Sequence, residues 1–298
     1  MSENTRKKPI LSNHPEKLVL AANGEAGNER PRPFIKWAGG KQRLLPELIS
    51  RMPDDYYRYF EPFLGGAALF FYLRPKPAFL SDINPSLVNT YQVVKQELDD
   101  LILDLKHHVY DKEYFYKIRN SDRVDSFKNW SDIKKASRFI YLNKTCFNGL
   151  HRVNSKGQFN TPFGKYTNPT ILDQKNLKLC SQALKFARVS THSFLNIEGK
   201  AKAGDFVYFD PPYAPINKTS NFTNFAKEGF GDEMQIALRD LCVRLDQQGV
   251  KWMLSNSAVP FIEEIYKDFK IERIRALRAI NSKGKSRGKI DEFVIRNY

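Results

Sequence analysis

The chain has 298 residues, 41% hydrophobic and 13% aromatic, enough for one large α/β domain with a smaller insert. No apolar run approaches the ~20 residues of a membrane span, and the polar N-terminus has no signal-peptide core, which implies a soluble, cytoplasmic protein with no membrane partner. The net charge of +15 is concentrated: residues 106–188 hold 17 Lys and Arg against 6 Asp and Glu, and residues 270–298 hold 9 against 3, a distribution suited to a polyanion such as nucleic acid.

Residues 1–32 show no sustained apolar period and read as a mobile leader. Strand and helix signals begin at Phe34. Residues 44–52 read as a helix, with Leu44, Leu45, Leu48, Ile49 and Met52 on one face. Residues 59–63 read as a strand ending at a glycine turn, 67–73 as the helix after it, and 78–83 as a second strand. Asn84 then caps a helix with Pro85 at its first position. Between about 100 and 190 the pattern changes: helical stretches at 101–109, 131–144 and 173–186 flank a polar, Gly- and Asn-rich loop at 146–170. Alternation resumes with an apolar strand at 206–209, a helix at 233–245, a strand at 251–255, and two strands around a loop at 281–289. The expected architecture is an α/β, Rossmann-like sheet in a discontinuous domain, 33–104 and 190–298, interrupted by a basic, mainly helical insert at 105–189.

The sharpest motif is Asp210-Pro211-Pro212-Tyr213, directly after the apolar strand. In an open α/β sheet, ligands bind beyond the carboxyl ends of strands. A nucleobase amino group is a poor nucleophile because its lone pair is delocalised into the ring. Two acceptors aimed at its hydrogens, the Asp210 carboxylate and the Pro211 carbonyl, would draw the nitrogen toward a tetrahedral geometry. Prolines stiffen that backbone, and Tyr213 can stack on a base removed from the duplex. Alone, the motif is also compatible with a structural turn after a strand.

Glu61-Pro62-Phe63-Leu64-Gly65-Gly66-Ala67 supplies glycines after the first strand, and Asp82 follows at the end of the next, where an acidic residue can accept hydrogen bonds from ribose hydroxyls. Phe34-Ile35-Lys36-Trp37-Ala38-Gly39-Gly40-Lys41 offers an aromatic wall, close backbone approach and a cation; Gln42 after Lys41 excludes a P-loop. Cys146, Cys180 and Cys242 form no zinc or redox spacing and read as reduced, partly buried thiols, so no metal is expected.

Taken in order, Lys36 to Lys41, Glu61-Pro62-Phe63-x-Gly-Gly, Ser81-Asp82-Ile83-Asn84 and Asp210-Pro211-Pro212-Tyr213 strongly resemble the Dam family of DNA adenine methyltransferases. The resemblance continues through Tyr141-Leu142-Asn143-Lys144, Phe147-Asn148-Gly149-Leu150, Arg152, Asn154, Phe159-Asn160-x-Pro162-Phe163-Gly164, Asn221-Phe222-Thr223 and Asp291-Glu292. It implies an S-adenosylmethionine-dependent methyltransferase sheet carrying a target-recognition insert with a β-hairpin. It implies adenine N6 methylation in double-stranded DNA, usually at GATC, with the base flipped out, by a protein that is a monomer in solution.

By the same resemblance, Trp37, Ala38, Gly39, Lys41, Glu61, Phe63, Asp82, Ile83, Phe194 and Asp210 would hold S-adenosylmethionine, with Phe63 and Phe194 as apolar walls. Asp210, Pro211, Pro212 and Tyr213 would carry the chemistry. Phe147 and Asn148 would enter the duplex; many relatives have Tyr where this chain has Phe147. Lys36, Leu150, Arg152 and Pro162 match base-contacting positions, Asn154 and Lys165 belong to the same DNA-facing set, and Lys285 and Arg287 would meet phosphates. Cys146 and His151 fall where relatives vary. Direct methyl transfer needs no covalent intermediate, and cytosine C5 methylation would need an activated thiol. Methylation of cytosine N4 or of another DNA sequence, and a non-catalytic DNA-binding relative, are the competing readings.

Overall fold

The computed structural model describes residues 29–215, 230–277 and 289–298. Seven strands form one sheet: β1 (Tyr59–Glu61), β2 (Ala78–Asp82), β3 (Ala187–Thr191), β4 (Phe206–Phe209), β5 (Lys251–Ser257), β6 (Lys270–Leu277) and β7 (Lys289–Arg296). Their order is β3-β2-β1-β4-β5-β7-β6. The first five run parallel, and β7 lies antiparallel between β5 and β6. This is the expected Rossmann-like α/β sheet. The order reverses between β1 and β4, which opens a crevice at their carboxyl ends.

The helices are α1 (Leu45–Ile49), α2 (Ala68–Leu73), α3 (Pro85–Gln96), α4 (Leu98–Leu105), α5 (Lys112–Asn120), α6 (Asp132–Thr145), α7 (Gln174–Leu184), α8 (Asp232–Gln247) and α9 (Pro260–Ile265). Alternating residues of the central strands feed two cores. Tyr59, Phe206 and Tyr208 join one face with Leu87, Tyr91, Phe139, Ile140, Cys180 and Leu184 of α3, α6 and α7. Phe60, Val207 and Phe209 join the other with Leu238, Leu241 and Leu245 of α8 and Ile262 of α9. A strand buried on both faces reads as a continuous apolar run, which is why 206–209 stands out in the sequence. A third, smaller cluster of Phe115, Tyr141, Leu142, Cys146 and Phe159 holds the loop after α6.

Several boundaries differ from the sequence reading. The helix read at 44–52 is a 3-10 turn, Gln42–Leu44, followed by α1, because Pro46 stands in the first α-helical turn. The strand read at 59–63 ends at Glu61, and Pro62 next to it has no N–H for the ladder. The helix read at 101–109 is α4, with Asp99 and Asp100 in its first turn. Asn84 caps α3 as expected, accepting from the Ser86 and Leu87 amides. α5, α9 and β3 escaped the sequence reading. β3 is an edge strand whose mixed Ala-Arg-Val-Ser-Thr pattern carries little apolar signal. No helix among the described residues is long and apolar enough to cross a membrane.

Candidate active site and nucleic-acid interface

Three acidic residues stand at the carboxyl ends of neighbouring parallel strands: Glu61 ends β1, Asp82 ends β2 and Asp210 follows β4. Glu61 is buried and accepts from the Tyr59 hydroxyl at 2.7 Å. Burial pushes its pKa up to about 8, with Asp210 adding and Tyr59 opposing. Asp82 accepts from the backbone N–H groups of Gly65 (3.2 Å) and Asn84 (2.9 Å), which fixes its carboxylate over the glycine turn. Burial raises its pKa despite those bonds. Beside it, Ile83 is 65% exposed, an apolar surface at the lip of the crevice.

Trp37 lies over that turn. A Cβ on Gly65, which has φ +44°, would meet Trp37 Cδ1 at 2.7 Å. The indole is also stacked on His151 (ring centroids 5.7 Å), which stacks on Phe139 (5.0 Å). Burial lowers the His151 pKa to about 4, so this ring is neutral near pH 7. Phe63 stacks on the buried Phe194 at 5.3 Å, and Phe230 packs against both. Ala38 and Gly39 are exposed next to the buried Lys41.

Lys41 Nζ pairs with Asp210 Oδ1 at 2.7 Å and sits 4.6 Å from the centre of the Tyr213 ring. The Tyr213 hydroxyl donates to Glu292 Oε2 of β7 at 2.7 Å. Burial raises the Asp210 pKa, Lys41 opposes, and Glu292 adds. A strand-end carboxylate, an exposed aliphatic residue, an aromatic wall and a glycine turn beneath an indole have the chemistry to suit a nucleoside.

The loop after α6 returns on itself as a hairpin, with antiparallel bridges Cys146–Phe163 and Val153–Phe159. Phe147 is 46% exposed at its base, and Asn148 is held in the left-handed region at φ +54°, a conformation Asn tolerates. Arg152 is exposed and donates to Asn160 Oδ1 at 2.7 Å. Pro162 and Lys165 are exposed and Leu150 half-buried. Lys36 Nζ lies 4.2 Å from the Tyr166 ring centre. Asn154, half-buried, shapes the turn: its Oδ1 accepts from the Lys156 and Gln158 amides. Cys146 is buried, with its thiol pKa pushed up to about 12 by burial. Lys285, Arg287 and Asn221-Phe222-Thr223 lie outside the described residues.

The structure thus gathers the strand-end residues and the 36–41 segment at one end of the sheet and sets the hairpin against them. Sequence reasoning gave no role to Asn143, which is buried on α6 and bonded to both Lys36 and Gly149. A polar residue at an apolar register position of a helix is the signal that could have found it. Among the described residues, no group of three or more His, Cys, Asp and Glu is gathered as for a metal ion.

Comparison with known proteins bears on this arrangement. A family model described as D12 class N6 adenine-specific DNA methyltransferase matches residues 37–280. The Type II methyltransferase M1.LlaDCHI of Lactococcus lactis subsp. cremoris is 45% identical over 271 residues, 90% of this chain and 95% of the relative. The Type II methyltransferase M.MjaIII of Methanocaldococcus jannaschii is 43% identical over 288 residues, 90% of this chain and 99% of the relative. The DNA adenine methylase of Escherichia coli K12 is 30% identical over 266 residues, 89% of this chain and 95% of the relative.

Proposed function

The chain belongs to the D12 class N6 adenine-specific DNA methyltransferases, and we propose that it methylates adenine N6 in double-stranded GATC, with S-adenosylmethionine as donor and the target base flipped out of the duplex. The observation that carries the reading is the Asp-Pro-Pro-Tyr loop at the sheet's reversal point, beside a carboxylate-lined glycine turn.

Asp82 would accept hydrogen bonds from the ribose hydroxyls, Ile83 would cover one face of the cofactor's adenine, and Phe63 and Phe194 would form the apolar wall. Trp37 would close the site from above, with Ala38, Gly39, Lys41 and Glu61 around the methionine end. S-adenosylmethionine, when bound, supplies an electrophilic methyl group. The remaining work falls to the chain. Lys41 takes one oxygen of Asp210, and the other is left to accept from the adenine amino group. The Pro211 carbonyl accepts the second amino hydrogen. Tyr213, its hydroxyl fixed on Glu292, offers its ring to the base. The N6 proton becomes acidic only as the new C–N bond forms, so Asp210 polarises and stabilises charge and is not required as a strong base.

Residues 105–189 would serve as the target-recognition unit. Phe147 and Asn148 would enter the duplex where the adenine leaves. Lys36, Leu150, Arg152 and Pro162 would read base edges, while Lys165 and the basic 283–289 segment hold phosphates. The test is incubation of unmethylated plasmid with labelled S-adenosylmethionine, followed by nucleoside analysis and mapping of modified positions. Label in N6-methyladenine at GATC is the expected result. Label at N6 in another sequence would remove the specificity and leave the chemistry.

A further inference from the structure

The Asp-Pro-Pro-Tyr loop is anchored from beneath by polar side chains in positions where a core would ordinarily place aliphatic ones. Gln235 of α8 and Asn256 of β5 are both 0% exposed, and Ser257 is 3% exposed. Gln235 Nε2 donates to the Pro212 carbonyl at 2.9 Å, and its Oε1 accepts from Asn256 Nδ2 at 3.0 Å. Asn256 Oδ1 accepts from the Ala214 and Ser257 amides at 3.1 and 2.9 Å. Ser257 Oγ donates to the Ala214 carbonyl at 2.7 Å. Burying two carboxamides is costly unless their hydrogen bonds are made, and these are spent on one loop.

The pattern of occupancy is selective. Asp210 is paired with Lys41, the Pro212 carbonyl with Gln235, the Tyr213 hydroxyl with Glu292, and Ala214 through both N–H and C=O. Among the described residues, none donates to the Pro211 carbonyl. We infer that Gln235 and Asn256 are positioning residues that fix the loop's peptide planes, so that the Pro211 carbonyl is the main-chain acceptor left for the target amino group. The inference rests on the proposed adenine N6 chemistry. Without the Gln235 bond, the Pro212–Tyr213 peptide is free to turn toward the site and compete for the amino group. A displacement of about 1 Å at a reacting centre can cost about 100-fold in rate.

The test uses the full chain carrying Gln235→Met, which keeps the length of the side chain but has no donor for the Pro212 carbonyl, and separately Asn256→Ala. Single-turnover methylation of a duplex containing the target should slow by about 10–100-fold in both. Affinity for S-adenosylmethionine, affinity for DNA and the fluorescence rise of 2-aminopurine at the target should each stay within about twofold of wild type, since the clamp acts only on the amino group's acceptor. Undiminished rates, or rates that fall only in proportion to the affinities, would overturn the inference. If Asn256→Ala does not fold, Gln235→Met decides alone. A wild-type protein that leaves adenine N6 unmodified would instead overturn the reading beneath it.

Discussion

Asn143 grips the main chain of Lys36 from both sides: its Oδ1 accepts from the Lys36 N–H and its Nδ2 donates to the Lys36 carbonyl, each at 2.7 Å. The same Nδ2 reaches the Gly149 carbonyl at 3.0 Å. Asn143, 107 residues from Lys36 in sequence, therefore ties the 36–41 segment to the base of the hairpin. Gly149 fits there because a Cβ would meet the Lys36 side chain at 2.5 Å.

Replacing Asn143 with Ala should strand buried polar backbone groups and cost about 2–4 kcal/mol of stability, read as a lower urea midpoint. Cofactor affinity and discrimination between DNA sequences should fall together, because the clamp joins the two regions. Loss of stability with both functions intact would separate the clamp from them.

Glu61 sets a pH dependence. Its folded-state pKa is raised to about 8 from 4.5, mainly by burial. Between those values the folded chain holds a proton that the unfolded chain releases. The contribution to stability is therefore full below pH 4.5 and is lost as pH rises through 8, with a limiting slope of about 1.4 kcal/mol per pH unit. Glu61→Gln should flatten this slope. Urea midpoints without cofactor should differ little at pH 5 and favour the variant at pH 9. A variant that keeps the wild-type slope would place the buried proton elsewhere.

Gly65 answers to both conformation and space, with φ +44° and Trp37 Cδ1 at 2.7 Å from a built Cβ. Gly65→Ala should cost about 1–3 kcal/mol of strain and displace the indole. Calorimetric titration with S-adenosylmethionine should show weakened binding, and tryptophan emission should shift. Unchanged affinity would mean that Trp37 does not close the cofactor site.

Asp210→Ala should abolish methyl transfer while DNA affinity, measured by fluorescence anisotropy, stays near wild type. Tyr213→Phe should be milder than Tyr213→Ala, since it loses only the hydroxyl bond to Glu292 and keeps the ring. Equal losses in the two Tyr213 variants would assign the role to the hydroxyl and not to the stacking face.

Arg152 and Lys165 should separate reading from holding. Arg152, fixed by Asn160, is placed at a base edge in the proposed complex. Arg152→Ala should cost about 1–3 kcal/mol at GATC and narrow the gap to near-cognate sites. Lys165→Ala should weaken all sequences alike and reduce the salt slope by about one. Methylation rates on GATC and single-base variants at two salt concentrations make the comparison. A uniform fall for Arg152→Ala would make it a phosphate anchor.

The parts of the fold visible in the sequence are those whose signal is local. The strand 206–209 is buried on both faces and apolar throughout, and the Asn84-Pro85 start of α3 is a cap with its own chemistry. Asp82 and Asp210 are legible as strand-end residues because one closes and the other directly follows a recognisable strand, whereas Glu61 is a strand end only because β1 stops before Pro62. Partnerships made across the sheet were illegible. Nothing near Asp210 in sequence indicates that Lys41 pairs with it, and nothing near Tyr213 points to Glu292. The turn-forming bonds of Asn154 are likewise visible only once the hairpin closes.

The position of β7 has a consequence for biosynthesis. It is the seventh strand in the chain yet lies inside the sheet, between β5 and β6, and it carries Glu292 to Tyr213. A chain emerging from the ribosome can form the parallel strands and present their carboxyl ends before that seam is filled. Until residues 289–296 arrive, β5 and β6 each lack their β7 partner and Tyr213 lacks its anchor. The Asp-Pro-Pro-Tyr loop is therefore anchored on the sheet only once β7 has been made, and fragments stopping before β7 should be prone to edge-to-edge association.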